Sequence, residues 1–479
     1  MKKLMNNGMP AGNPAESMEQ RTSAKGISPH AGGTGAQHLE SALPWRERIR
    51  QAAQRDPGCR FTSLLHHVTR GLLNEAYYAL RRQAAVGVDG VDWASYGASL
   101  DTRLADLHER VQSGRYRALP SKRLWIPKPD GRQRPLGIPA LEDKIVQQAL
   151  VWVLECIYEE DFCNFSYGFR PGRNCHQALD AVSVAITQRK VSWILDADIQ
   201  AFFDTVDHDH LMKFLEHRIA DSRVLCLVRK YLRAGVSENG QWSQTVVGTP
   251  QGAVISPLLA NIYLHYVLDL WVHWWRKHRA RGDVYIIRYA DDFVMGFQYQ
   301  SDAMALRCAL VERFRQFGLA LHPTKTRLIE FGRYAASNRS QRGQGKPETF
   351  DFLGFTHICS QRRSDGRYAV KRQTIAKRLR ASVRRVRERL KWTMHKDPAT
   401  VGQWLRSVLQ GHLNYFAVPG NTWSCNVFRT EICRAWRWAL RRRSQKARTM
   451  NWSRFNSLVR RWLPNIRVLH PYPNERLCV

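Results

Sequence analysis

Three carboxylates in this 479-residue chain fall where the residue pattern puts acidic groups at the ends of apolar strands. Ser192-Trp-Ile-Leu-Asp-Ala-Asp198 reads as an apolar strand that closes on Asp198. Val284-Tyr-Ile-Ile287 and Phe293-Val-Met-Gly-Phe297 flank Tyr289-Ala-Asp-Asp292, which makes Asp291 and Asp292 the tip of a hairpin. Neighbouring aspartates repel each other unless a cation lies between them. Carboxylate oxygens at strand ends suit Mg²⁺, with substrate phosphates completing its octahedron. Two such ions ~4 Å apart activate an attacking 3′-hydroxyl and stabilise a departing pyrophosphate. Tyr-x-Asp-Asp alone is a weak signal, since a turn that favours Asp explains it as simply.

Its companions carry the argument further. Phe203 lies five residues after Asp198, at a distance where its ring can pack beneath a sugar and exclude a 2′-hydroxyl; a plain core Phe is the competing reading. Thr249-Pro-Gln-Gly-Ala-Val-Ile-Ser-Pro257 is a turn leading into a helix, and Gly252 in it permits close backbone approach, as a templating base pair requires. Lys128 and Arg134 stand on the two arms of a hairpin at 123–138, able to fold over a triphosphate or to serve as ordinary surface charge.

The elements that must position these residues are mixed. A helical pattern runs from Trp45 to about Gln83 through Leu64, Leu65, Val68, Leu72, Leu73 and Tyr77, and further helices are expected over 99–112 and 141–160. With the strands above, the expectation is an α+β domain over 119–360, preceded by a disordered tail at 1–44 and a helical extension at 45–118. From 361 onward the chain is helical and basic, with 28 Lys+Arg against 5 Asp+Glu. Ile375, Leu379, Val383, Val386 and Leu390 form an apolar stripe flanked by Arg378, Arg380, Arg384, Arg385, Arg387 and Arg389. A solvated basic face is the plain reading, but positive charge with so little relief favours a phosphate track. The whole chain carries +33, which argues for a polyanionic partner. Ten cysteines without a CxxC pair read as reduced thiols, and no apolar run follows Lys2 and Lys3, so a cytoplasmic protein off the membrane is expected. Leu258 to Trp275 is apolar but interrupted by Asn261, His265 and Asp269, which reads as a buried helix.

The ordered motifs resemble one family. Ile126-Pro-Lys128, Arg134-Pro-Leu-Gly-Ile-Pro139, Asp143-Lys-Ile-Val-Gln147, Ser166-Tyr-Gly-Phe-Arg-Pro-Gly172 and Asp198-Ile with Phe203-Asp204 are similar to motifs of reverse transcriptases encoded by bacterial group II introns. So are Thr249-Pro-Gln-Gly252, Tyr289-Ala-Asp-Asp292, His322-Pro-Thr-Lys325 and Phe352-Leu-Gly-Phe355, over a span of about 85–475. The resemblance implies a right-hand polymerase of fingers and palm (119–360) and a helical thumb/maturase region (361–479). It implies an RNA-directed DNA polymerase that also assists splicing and mobility. Asp198, Ile199, Asp291 and Asp292 would bind two Mg²⁺, Phe203 would gate the sugar, and Lys128 and Arg134 would grip the triphosphate. Gln251 and Gly252 would line the nucleotide and template site, and Lys325 would approach the pyrophosphate as proton donor. Implied partners are intron RNA, an RNA template with DNA primer, deoxynucleoside triphosphates and target DNA.

Many members of that family continue into a DNA-binding segment and an HNH endonuclease with paired cysteines. The sequence has no such pairs and little length after Pro473, so no second-strand cleavage is expected and the primer would come from another source. Two other readings compete. One is a splicing maturase or RNA-binding protein with a vestigial polymerase site, against which the intact Asp198, Asp291, Asp292 and Phe203 speak. The other is a reverse transcriptase recruited to defence or spacer acquisition, whose relatives tend to lack the thumb/maturase elements.

Overall fold

A computed structural model describes residues 43–127, 133–238, 241–243, 248–249, 252–362, 365–443 and 445–476. The expected tail lies outside the described residues except for its last two, which open a helix over Leu43–Arg55. The single helical stretch expected to about Gln83 is corrected to two helices, Leu43–Arg55 and Arg70–Ala79, separated by a loop and one short turn, Leu65–His67. Pro57 and Gly58 end the first helix. The Asp221 carboxylate then takes the N–H groups of Leu64 (2.8 Å) and Leu65 (3.0 Å), which sets the loop in a non-helical path. The apolar residues that suggested a longer helix are nevertheless all buried.

Eleven strands are described: β1 (Ser121–Pro127), β2 (Gln133–Ile138), β3 (Trp193–Asp198), β4 (Val236–Glu238), β5 (Gln241–Ser243), β6 (Val284–Tyr289), β7 (Asp292–Phe297), β8 (Arg327–Glu330), β9 (Phe350–Phe352), β10 (Phe355–Gln361) and β11 (Tyr368–Thr374). They form three sheets, in the orders β2-β1-β4-β5, β6-β7-β3-β8 and β11-β10-β9. The β6-β7-β3-β8 sheet is apolar on both faces, and its period-two alternation divides its residues between two cores. Leu195, Ala197, Ile286, Phe293 and Met295 face one core, built with helices 43–112, 141–161 and 256–278. Ile194, Ile287, Val294 and Ile329 face a second, built with the helix Cys175–Gln188 and with Phe350, Phe352 and Phe355. Each large apolar side chain fully buried in this way contributes ~1.5–3 kcal/mol. The architecture is α+β.

A third core joins the helices Ala376–Thr393, Pro398–Phe416, Thr422–Arg441 and Trp452–Trp462. The apolar stripe Leu379, Val383, Val386 and Leu390 is its wall. The described cysteines are free thiols. Among the described residues no helix is long and apolar enough to cross a membrane.

Candidate active site

The catalytic candidates meet because of strand register. Asp198 ends β3 directly opposite Asp292, the first residue of β7, and Tyr289 pairs with Asp292 on the other side. Ala290 and Asp291 are therefore the two-residue turn of the β6–β7 hairpin, with Ala290 at φ 57. A left-handed residue other than Gly is strained, and such strain persists only where the surroundings hold it. Here Arg288, with no exposed surface, holds it from below. Its Nη1 donates to the Ala290 carbonyl (2.9 Å) and to Asn261 Oδ1 (3.0 Å), while Nε and Nη2 grip both oxygens of buried Asp269 (2.7 and 2.5 Å). Asn261 donates in turn to the Gly168 carbonyl (2.7 Å). Gly168 lies so close to the turn that a Cβ there would sit 2.9 Å from the Tyr289 carbonyl carbon. Arg288, Asp269 and Asn261 were not among the candidates read from the sequence.

The turn carries concentrated negative charge. Asp292 remains accessible but recessed: withdrawal from bulk water, then Asp291, then Asp198, pushes its carboxyl up to about 7. Asp291 is also raised, first by burial and further by Asp198, against the pull of its own backbone N–H, Arg134 and Arg288. Lys325 forms an ion pair with Asp198, which supplies one of the missing positive charges. Among the described residues no group of three or more His, Cys, Asp or Glu side chains stands, as placed, where it could hold a metal ion. The donor set is nonetheless hard oxygen with excess negative charge, which fits divalent cations that keep water and phosphate ligands. Ile199 is buried, and the backbone bonds beside it join its neighbours, His322 N to Asp198 O (2.7 Å) and Gln200 N to Ala320 O (2.9 Å). Its own carbonyl takes no part in those two bonds.

The sign of the pH effect follows. The folded chain keeps the Asp292 proton to about pH 7, whereas the usual value is 3.8, so cation-free stability falls as pH rises from about 4 to about 7. Cation binding must displace that proton below pH 7. The Mg²⁺ concentration giving half-maximal primer extension is therefore expected to rise as pH falls from about 7 to about 6, measured by Mg²⁺ titration at each pH. A requirement that does not change with pH would contradict this assignment of charge.

Of the substrate-binding candidates, Lys128 and Gln251 lie outside the described residues. Arg134 is exposed on β2, and its charge acts on Asp291. Phe203 is half-buried on the one-turn helix Phe202–Thr205, edge-on to Phe202 at 5.4 Å, and its carbonyl accepts the Thr249 N–H (2.7 Å). Gly252 has φ +113, and a Cβ there would sit 2.7 Å from the Gly137 carbonyl oxygen. The close approach that Gly252 permits is thus made to the β1–β2 hairpin itself. Gln147 anchors the following backbone, its Oε1 accepting from Val254 N (2.9 Å) and Ile255 N (3.4 Å).

Comparison with known proteins decides the family. A family described as "Reverse transcriptase (RNA-dependent DNA polymerase)" matches residues 126–357. "Protein YkfC" of Escherichia coli (strain K12) is 37% identical over 292 residues, covering 53% of this chain and 76% of that protein. "Group II intron-encoded protein LtrA" of Lactococcus lactis subsp. cremoris is 36% identical over 231 residues, 47% of this chain and 38% of LtrA. "Nuclear intron maturase 1, mitochondrial" of Arabidopsis thaliana is 32% identical over 95 residues, 20% of this chain and 13% of that protein. The chain belongs to the group II intron-encoded reverse transcriptase and maturase family. The matched domain is that of an RNA-directed DNA polymerase, a class that uses divalent metal ions and nucleic-acid substrates. The aligned part of this chain spans less than half the length of LtrA.

In this reverse transcriptase the basic helix Ala376–Thr393 begins beside the turn that carries Asp291. Arg378 acts on Asp292, lowering its carboxyl against the effects that raise it, and its Nη1 would lie 3.0 Å from a Cβ on Gly354. Arg380, Arg384 and Arg385 are exposed further along. Arg384 lies 3.9 Å from Glu388 and Arg385 bonds Ser382 at 3.2 Å. Arg387 is tied to Glu431 (2.5 Å), and Arg389 lies over Trp404 at 5.0 Å, so these two also secure the helical fold.

Proposed function

We propose that the chain copies RNA into DNA at Asp198, Asp291 and Asp292, and that its helical region holds intron RNA during splicing and mobility. The observation that carries the reading is the β3–β7 register, which brings Asp198 opposite Asp292 with Asp291 beside it. Two divalent cations, Mg²⁺ for an all-oxygen donor set, would neutralise phosphate charge and activate the primer hydroxyl. Ile199 would add its carbonyl oxygen to the three carboxylates. The rest is positioning by the chain's own groups. Arg134 and Lys128 would grip the triphosphate, as fingers over a palm. Gln251 and Gly252 support the nucleotide and template. Lys325 exchanges Asp198 for the departing pyrophosphate and gives it a proton. The helices after 374 close over the duplex as a thumb. Extension of a DNA primer on an RNA template, run beside splicing of the flanking transcript, tests the reading; absence of extension would remove it.

Phe203 is assigned the sugar gate. Phe203→Ala is expected to raise ribonucleotide incorporation relative to deoxynucleotide at least about tenfold, read from kcat/KM for the two sugars. An unchanged ratio would return Phe203 to the core.

The basic helix is assigned to phosphates. Log affinity falls with log salt by ~0.7–0.9 per phosphate contacted. Neutralising Arg380, Arg384, Arg385 and Arg389 together is expected to flatten the salt slope for RNA by ~3. A slope equal to that of the unaltered chain would make the stripe a solvated face.

A further inference from the structure

A second basic surface lies away from the catalytic turn, on the helix Thr422–Arg441 and the start of Trp452–Trp462. Arg434, Arg437, Trp438 and Arg441 share one helical face at three-to-four spacing, opposite the buried Ile432, Trp436 and Ala439. With Arg442 and Trp452 they line an open cleft of about 480 Å³. That volume lies in the ~300–1,000 Å³ range of small-ligand sites.

The cleft combines unbalanced charge with flat apolar faces. Arg437 sits over the Trp452 ring at 4.3 Å and Arg442 over Trp438 at 4.8 Å, leaving the two tryptophans 48% and 44% exposed. Arg437 Nη2 and Arg441 Nε donate to the carbonyls of Met450 (3.1 Å) and Arg448 (3.0 Å), which fixes the guanidinium planes. Arg437 Nε is buried without a hydrogen-bond partner among the described residues. Among the described residues no carboxylate lines the cleft; Glu431, which neutralises Arg434 at 2.8 Å, is shared with Arg387. Converging guanidiniums without counter-charge call for an anion, and exposed indole faces call for a planar ring. An acidic peptide supplies the first without the second. A duplex hides its base faces inside the stack. An unpaired nucleotide supplies both.

We propose that this cleft binds an unpaired nucleotide of an RNA partner, its base stacked on Trp438 and its phosphate held by Arg437, Arg441 and Arg442. The proposal rests on the intron-RNA reading above and adds to it a defined single-strand pocket. Its test uses the full chain, preloaded with an RNA–DNA duplex to cover the polymerase cleft, and a fluorescent 12-nucleotide oligo(A) RNA as probe. Trp438→Ala is expected to weaken probe binding about tenfold, the loss of one stacked base. Trp438→Phe should retain most of the affinity, and Arg442→Ala should lower the salt slope by ~0.7. The probe annealed to its complement should bind the unaltered chain and Trp438→Ala alike. Unchanged binding by Trp438→Ala, an equal loss for single strand and duplex, or equally strong competition by polyglutamate would overturn the proposal. Primer extension by the unaltered chain is scored separately, so its failure would strike the polymerase reading and leave the cleft result standing.

Discussion

Asp292→Asn should abolish primer extension, by at least ~100- to 1,000-fold in kcat, while RNA affinity stays within about twofold. The substitution keeps the shape of the side chain and removes its charge. Electrostatic stabilisation of developing charge is usually the largest single contribution to catalysis, and loss of even one neutral donor costs ~100- to 1,000-fold. Asp292 is the residue where the like charges of Asp291 and Asp198 converge most strongly, since its carboxyl is pushed up to about 7 by burial and by both of them. Removing that charge also relieves repulsion, so the variant should melt no lower than the unaltered chain. Loss of extension without loss of stability separates a cation-holding carboxylate from a structural one. Extension at the unaltered rate would refute the assignment.

The second large effect belongs to a residue that need not touch substrate. Asp269→Ala leaves the Arg288 guanidinium buried without its counter-charge, which typically costs ~3–5 kcal/mol. A drop of that size should appear in chemical denaturation. The double substitution Asp269→Leu with Arg288→Met removes both charges and should recover most of the stability, because two apolar side chains of similar volume pack where the ion pair stood. Primer extension should stay low in the double variant, since the Ala290 carbonyl has lost its Nη1 donor (2.9 Å) and the turn its support. Recovery of stability and activity together would make Arg288 a packing element only.

Sequence pattern shows the pairing of the candidate carboxylates more clearly than its support. Period-two apolar runs that end in Asp198 and begin after Asp292 set both strand ends, and the hairpin sets Asp291 between them. Both faces of this sheet are buried, so one apolar face alone does not set its register; between β6 and β7 the two-residue turn does. Arg288 was harder to read because its partners are remote in sequence. A signal existed: Asn261, His265 and Asp269 recur every four residues in an apolar helix, a polar line that must meet a partner inside the core. The ion pair of Lys325 with Asp198 joins residues 127 positions apart, which no local pattern reports. The break after Arg55 has the same cause, because the loop path depends on Asp221, more than 150 residues downstream. Apolar periodicity located the buried residues there and mistook a turn for helix.

In the proposed reaction the carboxylates of Asp198, Asp291 and Asp292 jointly hold divalent cations against the nucleotide. The most direct measurement of this is anomalous scattering from a crystal of the chain with RNA template, DNA primer and deoxynucleotide, grown in Mn²⁺. Strong peaks bounded by those three side chains are expected, with the Lys325 ammonium moved off Asp198 toward the phosphates. Peaks elsewhere, or Asp198 still tied to Lys325 with no cation beside Asp292, would contradict it.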